Sequence, residues 1–177
     1  TNNVVATYRI FKQFKNGPKI LYASSSTAYE PWRNPYAMSK HYMETIAPHN
    51  ALAMRFTTVY GPGAREQMLI PKILKNDVDY INVDHKRDFI HIDDILTAVG
   101  TLIVNPIPRK PKFVDVGTGV SNNLLDILSH INMEVKDKRM GTIFERKDNV
   151  AHIGTLTKMG WIPKTNLLDY LKENYDN

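Results

Sequence analysis

The stretch KILYASSS, residues 19–26, sets the fold class that the rest of the sequence follows. Its first five residues are a short, largely apolar run of the kind that forms a strand buried on both faces of a sheet. A Gly-Pro pair before it ends a helical pattern, and Ser24, Ser25 and Ser26 come directly after it. Because open parallel sheets bind ligands at the carboxyl ends of their strands, we expect these serines at a binding site.

Strand-like and helix-like segments alternate on both sides of this stretch, which predicts an α/β fold with a largely parallel sheet. The hydrophobic spacing predicts helices near residues 3–15, 35–47, 69–76, 93–104, 122–131 and 166–175. Apolar runs predict strands near residues 19–23, 51–60, 80–83 and 112–117. Ser121 is the candidate cap of the helix at 122–131.

The composition narrows the class of protein. The 177 residues are 42% hydrophobic and 23% charged, a balance typical of a soluble globular protein. There is no apolar run of about 18 residues, so we expect no membrane span, and the first residues do not resemble a signal peptide. Because there is no cysteine, neither a disulfide nor a thiolate metal site can form. This fits a reducing compartment, and we predict a cytoplasmic protein.

The net charge of +5 favours anionic partners, namely nucleic acid, a membrane surface or a phosphorylated small molecule. The lysines and arginines are scattered along the chain and form only short clusters. We therefore expect neither nucleic acid nor a membrane as a partner.

The segment NPYAMSK, residues 34–40, carries the chemistry that the sequence suggests. Asn34 can cap a helix that begins with Pro35, and this helix would place Tyr36 and Lys40 on one face, one turn apart. A lysine ammonium near a phenol favours the phenolate, so such a pair can take a proton from a sugar hydroxyl and return it. A serine hydroxyl from the preceding strand could share that contact. The alternative is a solvated pair on a helix surface.

Two other patterns are weaker signals. His91, Asp93 and Asp94 could be mistaken for metal ligands, but an Asp pair more simply begins a helix, and we predict no metal site. Gly117 and Gly119 form only a GxG, which lacks the third glycine of the dinucleotide-binding fingerprint.

Six segments, in this order, resemble those of the extended short-chain dehydrogenase/reductases, in the branch of the NAD-dependent sugar-nucleotide epimerases and dehydratases. Together they span nearly the whole chain, which makes the resemblance more specific than any one motif. They are SSSTAY at 24–29, PYAMSK at 35–40, MRFTTVYGPG at 54–63, KRDFIHIDD at 86–94, VDVGTGVSNNLLDI at 114–127 and MGWIPKT at 159–165.

The resemblance implies a catalytic triad of Ser25, Tyr36 and Lys40, with Ser25 also contacting the substrate. It implies NAD as the cofactor, with NADP not excluded, and has Tyr36 and Lys40 bind the nicotinamide ribose. Asn3 and Phe56 match positions on the cofactor side of the family's site. For Asn3, a role as a helix cap remains an equal alternative.

The resemblance also implies residues that bind the nucleotide sugar. Thr58 stands where galactose epimerases carry an asparagine, and Arg65, Arg87 and Arg146 match arginines that hold phosphates. Arginine suits that role because its planar fork can grip phosphate oxygens with two hydrogen bonds. For each arginine the alternative is a surface salt bridge, such as one between Arg87 and Asp88.

The type of reaction follows from two positions shortly before Tyr29. Dehydratases of this family carry a carboxylate two residues before the tyrosine matched by Tyr29, but this chain has Thr27 there, and Ser26 where an aspartate is usual. The sequence therefore favours an epimerase over a dehydratase, closest to the UDP-glucuronate and UDP-glucose 4-epimerases. Hydride would leave the sugar and return through a 4-keto intermediate.

The resemblance implies a truncated Rossmann-type sheet with a small carboxyl-terminal substrate-binding lobe. We expect residues 1–62 to be the later half of the Rossmann-type domain, and 63–177 mainly the substrate lobe, with about 87–104 returning to the first domain. The family's amino-terminal glycine-rich turn is absent, so two or three βα units are expected to be missing. The exposed sheet edge that would result favours a homodimer.

Three interpretations therefore remain open. The chain is the carboxyl-terminal part of an epimerase, or a sugar-nucleotide-binding protein without catalysis or one chain of a split enzyme, or a structural module that keeps only the fold.

Overall fold

The computed structural model describes residues 2–108 and 110–175. Helices and short strands alternate through these ranges, so the predicted α/β class is confirmed. The helices are α1 Asn2–Phe14, α2 Pro35–Thr45, α3 Leu69–Leu74, α4 Ile92–Val104, α5 Leu124–His130, α6 Gly154–Lys158 and α7 Leu167–Asn174. The strands are β1 Ile20–Ser25, β2 Ala51–Phe56, β3 Thr58–Tyr60, β4 Tyr80–Asn82, β5 Lys86–Arg87, β6 Phe89–His91, β7 Phe113–Val116, β8 Asn122–Asn123 and β9 Asp137–Arg139.

The central sheet is parallel and has the order β1-β2-β7. Its middle strand, β2, is buried along most of its length, as the apolar run ALAM predicts. In the register, Ser25 lies beside Phe56, and Arg55 lies beside Asp115. The carboxyl ends of β1 and β2 therefore meet at one edge of the sheet. Within the described ranges no strand pairs with the outer side of β1.

The strand predicted over 51–60 is in fact two strands, which corrects that prediction. The break falls at Thr57, whose N–H donates to the carbonyl of Val116 at 3.1 Å, while the N–H of Thr58 donates to the carbonyl of Asp88 at 2.9 Å. The chain thus leaves its partner β7 and joins β6, with which β3 forms a separate parallel pair. This change of partner directs the side chain of Thr58 to a different neighbourhood from that of β2.

Two hydrophobic clusters hold the elements together. One lies on the central sheet under α4 and α6, and it includes Leu52, Ile90, Leu102, Val114, Leu156 and Trp161. The other joins α3, α5 and α7 to β3, β4 and β6, and it includes Tyr60, Ile73, Phe89, Ile127 and Leu171. In the described ranges, no helix is both long and apolar enough to cross a membrane.

Helix α5 begins later than predicted. Its cap is Asn123, whose side-chain oxygen accepts the N–H of Leu125 at 2.9 Å, and Ser121 does not cap it. The Ser121 hydroxyl donates instead to Asp148 at 2.8 Å. An asparagine and a serine are nearly equal caps, so the sequence alone could not choose between them.

The division into residues 1–62 and 63–177 stays a prediction. Strand β7 pairs with β2 in the central sheet, so segment 113–116 returns to the first part of the chain as well as segment 87–104.

A buried ion pair fixes α2 against the sheet. The Glu44 carboxylate of α2 accepts the Arg55 Nε–H of β2 at 2.9 Å, and the Ser24 hydroxyl at the end of β1 donates to the same carboxylate at 2.5 Å. The side chains of Arg55 and Glu44 are only 5% and 9% exposed. The Arg55 guanidinium packs against two nearly perpendicular rings, with its central carbon 3.5 Å from the centroid of Phe113 and 4.1 Å from that of Tyr29.

A second buried carboxylate, that of Asp88, holds the loops beyond the sheet. Asp88 is fully buried, and its Oδ1 accepts the N–H and the hydroxyl of Thr118 at 2.8 and 2.7 Å. Its Oδ2 accepts the N–H groups of Gly119 and Ala151 at 2.9 and 3.0 Å. The backbone at Gly117 passes so close that a Cβ there would lie 2.6 Å from the Cβ of Ala151. Glycine is required at 117 for that approach and does not mark a phosphate loop.

Glu44→Gln should destabilise the fold by about 3 kcal/mol, because it leaves the buried Arg55 charge without a counterion. The free energy of unfolding in urea measures this. Glu66→Gln is the matched control, since Glu66 forms an exposed pair with Lys75 and its loss should leave the unfolding curve unchanged. Equal stability of the Glu44 variant and the native chain would contradict the role of the ion pair.

Asp88→Asn should lower the free energy of unfolding by about 3 kcal/mol. Both carboxylate oxygens accept hydrogen bonds from backbone N–H groups, so the new amide NH₂ must face at least one backbone N–H donor in either orientation. Chemical denaturation measures the loss. The exposed Asp126→Asn serves as the control and should change stability by no more than about 0.5 kcal/mol. Similar losses in the two variants would rule out the anchoring role.

Candidate active site

A cleft of about 530 Å³ opens at the carboxyl ends of β1, β2 and β3. One wall is the serine-rich end of β1 with the first turns of α2, and the facing wall runs from Phe56 to Met68. Seven of the residues predicted for the site line this cleft. They are Ser25, Tyr36, Lys40, Phe56, Thr58, Arg65 and Arg87.

Helix α2 begins as the sequence predicts. The Asn34 side-chain oxygen accepts the N–H of Ala37 at 2.8 Å, and Pro35 is the first helical residue. A proline at that position loses no hydrogen bond, because the first N–H groups of a helix have no partner within it. This start places Tyr36 in the first turn, at the mouth of the cleft.

Tyr36 and Lys40 share the face of α2 that borders the cleft. Tyr36 is 51% exposed, and the Nζ of Lys40 lies 5.6 Å from the centroid of its ring. The Lys40 ammonium donates to the carbonyl of Ala23 in β1 at 3.0 Å, which holds it against the sheet. Burial lowers the pKa of Lys40 below its ordinary value, and the charge of Glu44 one turn further along opposes part of this shift. The pair therefore consists of an ammonium held by a backbone carbonyl and a solvent-accessible phenol beside it.

The Ser25 hydroxyl is oriented by Thr27. The N–H and the hydroxyl of Thr27 both donate to Ser25 Oγ, at 3.2 and 3.0 Å. In the part of the chain that the structure describes, Ser25 Oγ donates to no acceptor, so its proton is available to a ligand. From the sequence, Thr27 is notable only because it occupies the position where the family's dehydratases carry a carboxylate. Its spacing of two residues from Ser25, which suits a local side-chain hydrogen bond, was the signal that could have found it.

Asn149 is a cleft residue that no sequence pattern predicted. It lines the cleft beside Thr58, and its side chain is buried between that residue and the backbone of Asp88. It lies in the segment ERKDN, in which the sequence predicts a site residue only at Arg146. No periodicity or motif in the segment marks the asparagine.

The two arginines of the cleft are held differently. Arg87 donates to the carbonyls of Lys86 and Lys147 at 2.8 and 3.2 Å, and to Nδ1 of His85 at 2.9 Å. The alternative of a salt bridge between Arg87 and Asp88 is wrong, because the Asp88 carboxylate binds backbone N–H groups and a hydroxyl instead. Arg65 is exposed and forms no ion pair with any residue in the described ranges.

Two predicted site residues do not line the cleft. Arg146 lies behind its serine-rich wall, where it donates to the carbonyl of Ser26 at 2.7 Å and lies 3.6 Å from the Glu30 carboxylate. Asn3 is exposed in the first turn of α1. Neither side chain therefore lines the cleft with Tyr36 and Lys40.

The HIDD segment begins a helix, as expected. His91 caps α4, with its Nδ1 accepting the N–H of Asp93 at 3.2 Å. The buried Asp94 accepts the N–H groups of Lys164 and Thr165 at 2.9 and 3.0 Å. Across residues 2–108 and 110–175, no group of three or more histidine, aspartate or glutamate side chains is placed to hold a metal ion.

The fold is similar to those of solved nucleotide-sugar enzymes. A UDP-glucuronic acid 4-epimerase from Bacillus cereus, in complex with UDP-glucuronic acid and NAD, matches with a TM-score of 0.80 and 23% identity, over 99% of this chain and 67% of that one. An NAD-dependent NDP-hexosamine 5,6-dehydratase of tunicamycin biosynthesis matches with a TM-score of 0.83 and 22% identity, over 98% of this chain and 68% of that one. At these identities the likeness establishes the fold, which is of the Rossmann type.

The residues around Tyr36 fit the nicotinamide end of NAD, the cofactor of the family that the sequence resembles. An accessible phenol, an ammonium with the Ala23 carbonyl as its partner and the half-buried ring of Phe56 lie together on the cleft, a set suited to a nicotinamide riboside. The N–H groups of Thr118 and Gly119 are taken up by Asp88, so their loop is not free to hold a pyrophosphate.

Sequence comparison agrees with this fold. A CDP-abequose synthase from Salmonella typhimurium is 30% identical over 176 residues, covering 85% of this chain and 57% of that protein. A GDP-6-deoxy-D-talose 4-dehydrogenase from Aggregatibacter actinomycetemcomitans is 29% identical over 139 residues, covering 71% and 47%. The chain thus spans about half the length of the curated relatives it matches. Residues 1–117 match the profile of the NAD dependent epimerase/dehydratase family, and the chain belongs to that family.

Proposed function

We propose that this chain carries the proton-transfer and substrate-binding part of an NAD-dependent nucleotide-sugar 4-epimerase. The observation that carries the proposal is the shared cleft: Ser25, Tyr36 and Lys40 line one wall, and Arg65 and Arg87 line the rest. A proton-transfer group and cations suited to a diphosphate therefore face the same space. That combination is what the oxidation and reduction of a sugar joined to a nucleotide requires.

The residues of the cleft divide the acid–base work. Tyr36 takes the proton of a sugar hydroxyl as the carbinol becomes a ketone, and returns it when the ketone is reduced. The Lys40 ammonium lies 5.6 Å from the centroid of the Tyr36 ring and supplies a positive charge beside it. The Ser25 hydroxyl donates a hydrogen bond to the sugar oxygen. When bound, NAD would supply the hydride acceptor and donor, and Tyr36 and Lys40 would hold its nicotinamide end. Return of the hydride to the other face of the planar carbon inverts it.

Epimerisation is favoured over dehydration by the side chains of the cleft. Elimination of water needs an additional acid, and none of the residues lining the cleft in the described ranges is an aspartate or a glutamate. At the position of the family's carboxylate, Thr27 donates to Ser25 instead.

The proposed substrate is a nucleoside diphosphate sugar. Arg65 and Arg87 would hold its phosphates, and Thr58 would face the sugar. The solved relatives include complexes with UDP-glucuronic acid and with UDP-glucose, which support this substrate class. Arg146 would act indirectly, by supporting the backbone at Ser26.

We infer a homodimer, because α1 and α2 carry a set of exposed apolar side chains that a partner copy would cover: Val5, Tyr8, Ile10, Met38 and Tyr42.

A second candidate function is nucleotide-sugar binding without catalysis, or catalysis only together with a separate cofactor-binding chain. The observation that favours it is the loop at Thr118 and Gly119, whose N–H groups are occupied.

Tyr36→Phe should lower the rate of epimerisation of UDP-glucuronate or UDP-glucose, measured with NAD present, by at least about a hundredfold. The affinity for the sugar nucleotide should change little, because the phenol acts on the reacting proton. Tyr42→Phe is the matched control: it lies on the same helix, is similarly exposed and does not line the cleft.

Activity near the native level in the Tyr36 variant would remove this residue from the mechanism. If calorimetry shows that the chain binds UDP-glucuronate but not NAD, and no turnover occurs, the second candidate function replaces the first.

Arg87→Met should weaken the binding of UDP-glucuronate and UDP by about tenfold or more, because the diphosphate loses a charged donor held in place by the backbone and His85. Titration calorimetry measures both affinities. Arg139→Met is the control, since Arg139 pairs with Asp137 away from the cleft. An equal and small effect of the two substitutions would place the diphosphate elsewhere.

A further inference from the structure

We propose that Asn149 is a positioning residue that makes the Thr58 hydroxyl a hydrogen-bond donor to the ligand in the cleft. The inference rests on the proposed function, since it concerns how the same cleft reads the sugar. It assigns a task to a residue outside all the motifs of the sequence.

The orientation of the Asn149 amide is fixed by the backbone. The N–H of Asp88 points at the Asn149 side chain, with a donor–acceptor distance of 2.7 Å. A backbone N–H can only donate, so the atom it meets must be the amide oxygen. The NH₂ group is therefore turned toward Thr58, and Nδ2 donates to Thr58 Oγ1 at 3.1 Å.

This contact determines what Thr58 can offer. Its hydroxyl already accepts a hydrogen bond from Asn149, and among the residues that the structure describes it donates to none. Thr58 lines the cleft, so its proton is free to be donated into that space. An acceptor on the ligand, such as an ether, carbonyl or carboxylate oxygen, would take that proton.

The three residues form a closed ring of hydrogen bonds that resists reorientation. The N–H of Thr58 donates to the carbonyl of Asp88 at 2.9 Å, Asp88 donates to Asn149, and Asn149 donates back to Thr58. Asn149 is 8% exposed and Asp88 is fully buried, so water competes little for these bonds. The carboxylate of Asp88 pins the same residue to two loops, which keeps its N–H direction constant.

Asn149→Asp tests the inference with almost no change of shape. One carboxylate oxygen still accepts from Asp88, but the other can only accept, so the Thr58 hydroxyl turns to donate to it. The cleft then meets a lone pair instead of a proton. We expect the affinity for UDP-glucuronate, used as the probe in titration calorimetry, to fall about tenfold.

Asn149→Asp also adds a negative charge. The same substitution in a Thr58→Val variant separates the effect of this charge from the effect of reorienting the Thr58 hydroxyl. In Thr58→Val there is no hydroxyl to reorient, so Asn149→Asp should change the affinity there by less than about threefold. Equal losses in the two backgrounds would overturn the proposal, because they would reflect charge alone. No loss in the native background would also overturn it. Matching thermal unfolding midpoints confirm that the variants are folded.

A measurement without ligand tests the hydrogen bond between Asn149 and Thr58 independently of the proposed function. By NMR of the ligand-free chain, the side-chain NH₂ protons of Asn149 should exchange with water at least about fivefold faster in Thr58→Val than in the native chain. The NH₂ group of Asn105, which donates to Thr101 in α4, should not change. Unchanged exchange at Asn149 would show that the bond to Thr58 is absent and overturn the inference. If the native chain does not bind UDP-glucuronate, the proposed function fails, while the exchange data still decide on this bond.

Discussion

The fully buried carboxylate of Asp88 is the constraint on which the cleft depends. A charge removed from water is costly unless donors surround it, and here two N–H groups and a hydroxyl from the 117–119 loop side and one N–H from Ala151 do so. All four donors are neutral, so the charge is satisfied by geometry and not by a counterion. These hydrogen bonds hold the loops in one arrangement beside β6. Arg87, Thr58 and Asn149 inherit their positions from that arrangement.

The opposite wall is set by a different kind of contact. There, Glu44 and Arg55 join α2 to the middle strand, and the Ser24 hydroxyl ties β1 to the same carboxylate. Lys40 lies one turn from Glu44 and contacts the backbone of β1, so its ammonium and the neighbouring phenol are placed by the packing of a whole helix. The two walls thus have separate supports, one ionic and one built from neutral hydrogen-bond donors.

Local chemistry explains which features could be predicted from the sequence. Asn34 and Pro35 specify the start of α2, and the apolar run at 20–23 specifies a buried strand, because each signal lies within a few neighbouring residues. The alternation of strands and helices then brings the strand ends together, which is why most of the predicted side chains line one cleft. The chemical roles of Ser25, Tyr36 and Lys40 remain predictions.

Features that depend on distant partners could not be predicted. The break at Thr57 arises because the N–H of Thr57 donates to Val116 while the next N–H, that of Thr58, donates to Asp88, and no local pattern reveals either partner. Arg146 resembled a phosphate ligand by its position in sequence, yet the backbone at Ser26 claims its guanidinium. Asn149 gave no signal for the same reason: its importance comes from the direction of one backbone N–H far away in the chain.

The pairing of β2 with β7 has a consequence for how the chain folds. Arg55 and Asp115 are neighbours in the sheet, although two helices and several strands lie between them in sequence. The chain must close a long loop before the third strand of the central sheet can form, and the entropy of that closure opposes early assembly. Residues 1–62 alone would therefore present a middle strand with one side unpaired. The central sheet and the elements between β2 and β7 are expected to reach their native structure as one cooperative unit.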